Sequence, residues 1–129
     1  MFFLDGTPKG ISWSIKTGED TVKQYRNQAE MYSDKVSTEQ ARYIALHVGI
    51  FWSIGTFIIK NGDDVIVNLD SKSMYEHLSQ NHSSNDEFIE TRTGFIKQLI
   101  AQRDLKINYR LIEPKENISS KMLEKRIGT

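Results

Sequence analysis

The sequence predicts a single α/β domain of 129 residues, in which three strands come first and helices then alternate with strands. Three observations indicate this fold class. Residues 11–15 alternate apolar and polar side chains, which is typical of a strand with one buried face. Residues 41–54 repeat apolar side chains at helical spacing over most of the circumference, so we expect a helix buried on several sides. Residues 65–69 form a β-branched run that suits a central parallel strand.

The N-terminal region predicts three antiparallel strands. A short apolar strand at 1–4 ends at the turn cluster of residues 5–10. After the alternating strand, the sequence Gly18-Glu19-Asp20 is typical of a hairpin turn. A more polar third strand is then expected within 21–32. The candidates to face inward from it are Val22, Tyr25 and Tyr32.

Capping signals place the first two helices. Ser37 and Gln40 have the spacing of a capping box, so the long apolar helix is expected to begin there. Asp70 and Ser71 follow the central strand and cap a second, short helix. Periodicity and helix breakers indicate the other elements, which are a polar loop at 77–85, a helix at 86–102, a strand at 106–112 and a terminal helix at 119–125.

Composition excludes several classes of protein. With no cysteine there is no disulfide framework, no thiolate metal site and no cysteine nucleophile. The longest apolar run, at 49–59, is interrupted by polar residues, so a membrane span is not expected. The first residues lack the pattern of a signal peptide, and we therefore expect a cytoplasmic protein. Seventeen basic and seventeen acidic residues cancel, so the net charge gives no sign of a polyanionic partner.

Four short motifs stand at the junctions of the predicted elements. The first strand ends in Asp5-Gly6-Thr7, and the first helix reads Ala-Arg-Tyr-Ile-Ala-Leu-His-Val-Gly-Ile over 41–50. The fourth strand ends in Asp70-Ser71, and Lys115-Glu116-Asn117 precedes the last helix. In this order, and over essentially the whole chain, these motifs resemble the ribonuclease H family. The resemblance implies a five-stranded mixed sheet in the order 3-2-1-4-5, with helices on both faces.

The same resemblance implies where a catalytic site would lie. Ribonucleases H use four carboxylates, whose positions correspond here to Asp5, Arg42, Asp70 and Lys121, so two acids are retained and two are replaced by cations. Two divalent ions beside a scissile phosphate need hard oxygen ligands and negative charge. A dication about 4 Å from one uncompensated cation is repelled by about 8 kcal/mol at an effective dielectric constant of 20. Arg42 is instead able to pair with Asp5 or Asp70, and Lys121 with the other.

The leading hypothesis is therefore a degenerate ribonuclease H-like protein that does not cleave, needs no cofactor and is retained for contacts with nucleic acid or protein. The alternative is an active ribonuclease that cleaves the RNA of RNA–DNA hybrids with Mg²⁺ or Mn²⁺ on Asp5 and Asp70 and a rearranged carboxylate set. Glu39 and Glu124 are the candidates to compensate, because each lies three residues from a substituted position on the same helix face. A structural assembly subunit is a third option.

Basic residues concentrate near the end of the chain, where the last 27 residues hold seven of them against four acids. We therefore take Lys115, Lys125 and Arg126 as candidate nucleic-acid contacts, with a solvated surface as the plain alternative. No basic helix-and-loop insertion of the kind that some ribonucleases H use to grip hybrids follows the second helix, so weak binding is expected. The histidines have no metal-ligand spacing and are expected on the surface or hydrogen-bonded in the core; they are His47, His77 and His82.

Overall fold

The strands form one mixed sheet in a computed structural model that describes the backbone of residues 1–127. The strands are β1 (Phe2–Gly6), β2 (Gly10–Thr17), β3 (Asp20–Asn27), β4 (Asp64–Leu69) and β5 (Lys106–Leu111). The first three pair antiparallel, whereas β4 pairs parallel with both β1 and β5. The resulting order, β3-β2-β1-β4-β5, confirms the predicted topology.

Helices cover both faces of this sheet. The helices are α1 (Thr38–Gly55), α2 (Lys72–Ser79), α3 (Glu87–Gln102) and α4 (Ile118–Ile127), with a 3-10 turn at Pro114–Glu116. On one face, α1 packs against β1 and β2 and carries α3 on its outer side. On the other face, α4 packs against the antiparallel strands. No helix within residues 1–127 is both long and apolar enough to cross a membrane.

Local signals in the sequence account for where these elements begin and turn. The Ser37 hydroxyl accepts a hydrogen bond from the Gln40 N–H at 3.0 Å, and the Gln40 side chain accepts one from the Ser37 N–H at 2.9 Å. This confirms the predicted capping box at the start of α1. The side chains of Ser71 and Asp86 cap α2 and α3 by accepting hydrogen bonds from the N–H groups of Met74 and Ile89. Gly18 closes the β2–β3 hairpin with a φ of 57°, a conformation that glycine adopts without strain.

Two boundaries differ from the predicted ones. The helix α2 extends to Ser79, although the sequence predicts a loop over 77–85, because the Leu78 side chain is buried in the core and extends the apolar face of the helix. The strand β3 ends at Asn27, so Tyr32 lies in the following turn and not in the strand. Tyr32 nevertheless packs against the core, since a turn also brings a side chain inward.

Strand register places the two aspartates of the predicted site on the same face. Phe3 of β1 is paired with Asn68 of β4. Two residues further along each parallel strand stand Asp5 and Asp70, and because side chains alternate between faces, both point to the same side of the sheet. That side is the α4 face, where Ser12 of β2 donates a hydrogen bond to the Ser119 carbonyl at 2.8 Å.

A glycine allows α1 to lie close to the sheet. A Cβ atom added to Gly49 would stand 2.5 Å from Cζ of Phe2 and 2.9 Å from Cγ of Trp13, both fully buried. Such distances require core side chains to move. Gly94, on the exposed side of α3, would meet no atom within 4 Å.

We expect Gly49→Ala to lower the free energy of unfolding by about 1–3 kcal/mol, because it overpacks the contact between α1 and the sheet. The matched change Gly94→Ala should raise it by about 0.5–1 kcal/mol, through helix propensity alone. Urea denaturation followed by circular dichroism measures both. Equal effects of the two substitutions would contradict the close approach of α1.

Candidate functional site

Polar side chains from four elements meet where β1 and β4 end. Asp5 lies in β1, Asp70 directly follows β4, Arg42 stands near the start of α1, and Asn117 and Ser120 stand at the start of α4. The sequence predicted that the two aspartates end adjacent parallel strands, and the strand pairing confirms this. In open α/β sheets the carboxyl ends of the strands are also where ligands gather.

The carboxylate of Asp5 is held by three hydrogen-bond donors. Its Oδ1 accepts from the Gly6 N–H at 2.9 Å and from Arg42 Nε at 3.2 Å, and its Oδ2 accepts from the Ser120 hydroxyl at 2.7 Å. The side chains of Asp5 and Arg42 are 14% and 27% exposed, so this ion pair is partly shielded from water. The negative charge of Asp5 is therefore compensated within the chain.

Asp70 is tied to the same group through Asn117. The Asn117 amide Nδ2 donates to Asp70 Oδ2 at 3.0 Å and to the Leu4 carbonyl at 2.9 Å, and the Asn117 side chain is fully buried. The Ser120 hydroxyl also stands 3.4 Å from Asp70 Oδ2. One hydroxyl thus lies between the two carboxylates.

The fourth predicted position requires a correction. The resemblance placed Lys121 beside the aspartates, but the structure places Ser120 there. Successive side chains of an α-helix are turned by about 100°, so the next residue points elsewhere. Lys121 is exposed and lines a separate groove with Lys23 and Lys125. It therefore does not neutralise Asp70.

The two glutamates considered for compensation lie in different places. Glu39 accepts a hydrogen bond from the Ser73 hydroxyl at 2.7 Å and lines a pocket of about 400 Å³ on the α2 side of the molecule. Glu124 lines the cavity that also contains Asp5 and Arg42. Of the two, only Glu124 shares the site.

This cavity has a volume of about 460 Å³ and opens beside the ends of β1 and α4. Apolar walls come from Pro8 and Leu123, and Lys9 contributes a cation whose Nζ lies 3.4 Å from Asp34. Arg42 is the other basic side chain among the described residues that line it. The cavity thus presents both signs of charge next to the aspartates.

The residues present do not fit the pair of divalent ions that a ribonuclease H fold implies. Both oxygens of Asp5 already accept hydrogen bonds, one of them from a guanidinium group that would repel a cation. Within residues 1–127, no three Asp, Glu or His side chains are arranged to hold a metal ion. Arg42 supplies only donors where such ions require acceptors, and the Ser120 hydroxyl donates its proton to Asp5.

The candidate nucleic-acid contacts lie outside this cavity. Lys125 and Arg126 line the groove of about 650 Å³ that also holds Lys121, on another side of α4. The Arg126 guanidinium carbon is 5.9 Å from the centre of the Tyr25 ring. Lys115 is exposed in the 3-10 turn before α4.

A second polar cluster joins α1, α2 and α3. His77 is 8% exposed, with its Nδ1 2.8 Å from the Tyr43 hydroxyl and its Nε2 2.8 Å from a Glu90 carboxylate oxygen. Burial raises the pKa of Tyr43, and a hydrogen bond from the Ser84 N–H lowers the pKa of Glu90. His77 is a hydrogen-bonded core histidine, one of the two environments expected for the histidines. Burial and the neighbouring Arg92 lower the pKa of His47.

Comparisons with known proteins connect this geometry to a fold family. No protein-family model matches the chain, and no curated protein sequence matches it. Among solved structures, it is similar to RNase H1 from the halophilic archaeon Halobacterium salinarum NRC-1, with a TM-score of 0.76, 16% identity, and 99% of this chain and 97% of that chain covered. LC11-RNase H1 in complex with an RNA/DNA hybrid has a TM-score of 0.71, 15% identity, and coverage of 95% and 97%.

The N-terminal RNase H domain of Rv2228c from Mycobacterium tuberculosis, solved as a fusion with maltose binding protein, has a TM-score of 0.69, 18% identity, and coverage of 95% and 92%. These likenesses extend over nearly the whole length of the compared chains. The chain therefore has a ribonuclease H-like fold, as the sequence motifs predicted.

The placement of Ser120 can be tested by rebuilding a carboxylate cluster. We expect R42E/S120D to bind Mg²⁺ or Mn²⁺, because four acids would then converge. Metal at 100 times its Kd should raise the free energy of unfolding by about 2.7 kcal/mol. Without metal this variant should be less stable than the wild type, since clustered carboxylates repel one another.

The matched variant is R42E/K121D. It introduces the same two acids, a glutamate and an aspartate, but places the aspartate one position further along α4. It should show no metal-dependent stabilisation. Thermal and urea unfolding with and without metal measure the difference. A metal response in R42E/K121D, or an equal response in both variants, would contradict the orientation of α4.

Proposed function

We propose that this protein binds double-stranded nucleic acid, including RNA–DNA hybrid, through its ribonuclease H-like fold and does not cleave it. The observation that carries the proposal is the network of Asp5, Arg42, Asp70 and Ser120, in which a guanidinium and a hydroxyl stand beside the two aspartates. The similar LC11-RNase H1 is described in complex with an RNA/DNA hybrid, which supports the choice of ligand.

The charges in this network are the reason to expect no cleavage. Two-ion hydrolysis places one cation on the attacking water and another on the leaving oxygen, about 3.5–4 Å apart. Here Asp5 and Asp70 are the two carboxylates in hydrogen-bond contact with Ser120, and Arg42 already compensates one of them. A divalent ion entering this site would have to displace that guanidinium group or overcome its repulsion.

The guanidinium group of Arg42 is also suited to bind phosphate. Arg42 contacts Asp5 through Nε, while a guanidinium group carries five N–H donors in all. Its terminal nitrogens are available at the cavity that Arg42 lines. Phosphate oxygens match the planar geometry of these donors, so Arg42 would hold a backbone phosphate directly, where a ribonuclease H uses metal ions.

Binding of this kind reads the backbone and the shape of the duplex. It should weaken as salt rises and be indifferent to base sequence. We expect modest affinity, since the net charge of the chain is zero.

One observation favours a second candidate, a metal-dependent ribonuclease. Glu124 lines the cavity of Asp5 and is the acid on α4 closest in sequence to Ser120. If Glu124 replaced the missing carboxylate, Mg²⁺ or Mn²⁺ would bind among Asp5, Asp70 and Glu124. The guanidinium of Arg42 argues against this arrangement, and we therefore place it second.

The test combines binding with cleavage. Fluorescence anisotropy at low salt should show that the wild type binds a labelled RNA–DNA hybrid and double-stranded DNA. R42A should bind at least about tenfold more weakly, because a hydrogen bond to a charged group contributes about 1.5–3 kcal/mol. The matched control R103A removes an exposed arginine after α3 and should leave binding unchanged. Circular dichroism checks that each variant is folded.

Cleavage of the same hybrid in Mg²⁺ or Mn²⁺ should not exceed that of D5N. Metal-dependent cleavage that is lost in both D5N and E124Q would replace the proposal with the ribonuclease candidate. A wild type that binds no nucleic acid at low salt would overturn the proposal and leave a protein partner in its place.

A further inference from the structure

We infer that a second surface, on the flank of α4 away from Asp5, binds the phosphate backbone of double-stranded nucleic acid. We call this surface the α4 groove. Its lining residues are Lys23, Ile118, Lys121, Met122, Lys125 and Arg126. The inference rests on the proposed function for the kind of ligand, but it concerns residues that the Asp5 cavity does not include.

The two surfaces lie on opposite flanks of α4. Ser120, Leu123 and Glu124 line the Asp5 cavity, whereas the α4 groove takes Lys121 and Lys125 from the same helix. Because side chains advance by about 100° per residue, the mean direction of all five α4 residues that line the groove lies nearly half the helix circumference from that of the three cavity residues. One helix therefore separates two independent surfaces.

The α4 groove is strongly basic. Four of its six lining residues are cations, the other two are apolar, and none is acidic. Within residues 1–127, none of these four cations forms an ion pair with a carboxylate. Lys121 and Lys125 are four positions apart on α4, a spacing at which like charges destabilise a helix. A neutral chain that gathers cations in this way is suited to an anionic ligand.

A second basic pocket adjoins the α4 groove. An adjoining pocket of about 330 Å³ shares Lys23 and Ile118 with the α4 groove and adds Lys16 and Arg110, with Glu116 as its acid. Strand pairing places Lys23 and Arg110 in one row across all five strands. At about 4.8 Å per strand, this row spans about 19 Å.

Acidic residues occupy a different side of the molecule. Glu39, Glu76 and Asp86 line the pocket between α1, α2 and α3. The pocket on the α2 side is thus lined by acids, whereas the α4 groove is lined by cations. A polyanion is attracted toward α4 and repelled from the α2 side, so charge alone orients the ligand.

The groove offers no surface on which bases could stack. No aromatic side chain is among its described lining residues, and the neighbouring Tyr25 carries the Arg126 guanidinium at 5.9 Å over its ring. Proteins that hold single strands rely on free aromatic faces as well as on positive charge. A duplex presents one negative charge per about 1.7 Å of its axis, which gives about eleven charges along a row of about 19 Å. These features favour a duplex backbone as the occupant.

The experiment compares two triple variants with the same change in net charge. K23Q/K121Q/K125Q neutralises the α4 groove, and K60Q/K97Q/K106Q neutralises exposed lysines elsewhere. Fluorescence anisotropy over a series of salt concentrations gives Kd and its salt dependence for a 20-base-pair DNA duplex, a hybrid and a single strand. The full chain is used, and thermal unfolding confirms that both variants are folded.

We expect the groove variant to bind duplex at least about tenfold more weakly at low salt than the wild type. The slope of log K against log salt should fall by about 0.9 for each lost phosphate contact, or up to about 2.7 for three. The control variant should keep the wild-type slope. The pair K121Q/K125Q, which leaves the sheet unchanged, should lose up to about 1.8 of the slope.

The outcomes separate this inference from the proposed function. If the wild type binds duplex, R42A weakens binding and the groove variant behaves like the control, the groove inference is overturned while the proposed function stands. If the groove variant loses affinity and R42A does not, the groove is confirmed and the role of Arg42 is wrong. A loss confined to the single strand would overturn the duplex as the occupant.

Discussion

The buried side chain of Asn117 is the constraint on which the site depends. Its amide nitrogen bridges the Leu4 carbonyl of β1 and the carboxylate of Asp70 after β4, and its amide oxygen accepts a hydrogen bond from the Ser119 N–H. Two parallel strands and the start of α4 are thereby joined at one point. A buried polar group without a partner costs about 1–3 kcal/mol. Moving any one of these groups would leave another unpaired, so the network holds them together.

Once the start of α4 is set in this way, its rotation about its own axis is also set. The Ser119 hydroxyl meets Ser14 of β2 at 2.9 Å, and the Ser119 carbonyl meets Ser12. Ser120 is then directed to Asp5 and Asp70, and Lys121 is directed away from them. The same rotation therefore decides the chemistry of the cavity and the positive charge of the α4 groove.

The two surfaces differ in whether their charges are compensated within the chain. In the cavity, Arg42 and Ser120 satisfy Asp5 by hydrogen bonds within the chain, so the acids do not depend on a metal ion for compensation. In the α4 groove, no described ion pair compensates the cations, so their charge is available to the anionic ligand that we propose. A chain of zero net charge thus carries a charge-paired cavity and a basic groove on the same helix.

The sequence by itself determined the order of the elements and the capping box at Ser37, because periodicity and caps are local properties. The resemblance of its motifs to a known family singled out the two aspartates at the strand ends. The same resemblance indicated Arg42, since a residue within a matched helical motif has a defined position. Only the tertiary structure decided that Ser120 and not Lys121 faces the aspartates. That choice depends on the rotation of α4, which is set by hydrogen bonds to strands more than a hundred residues earlier in the chain.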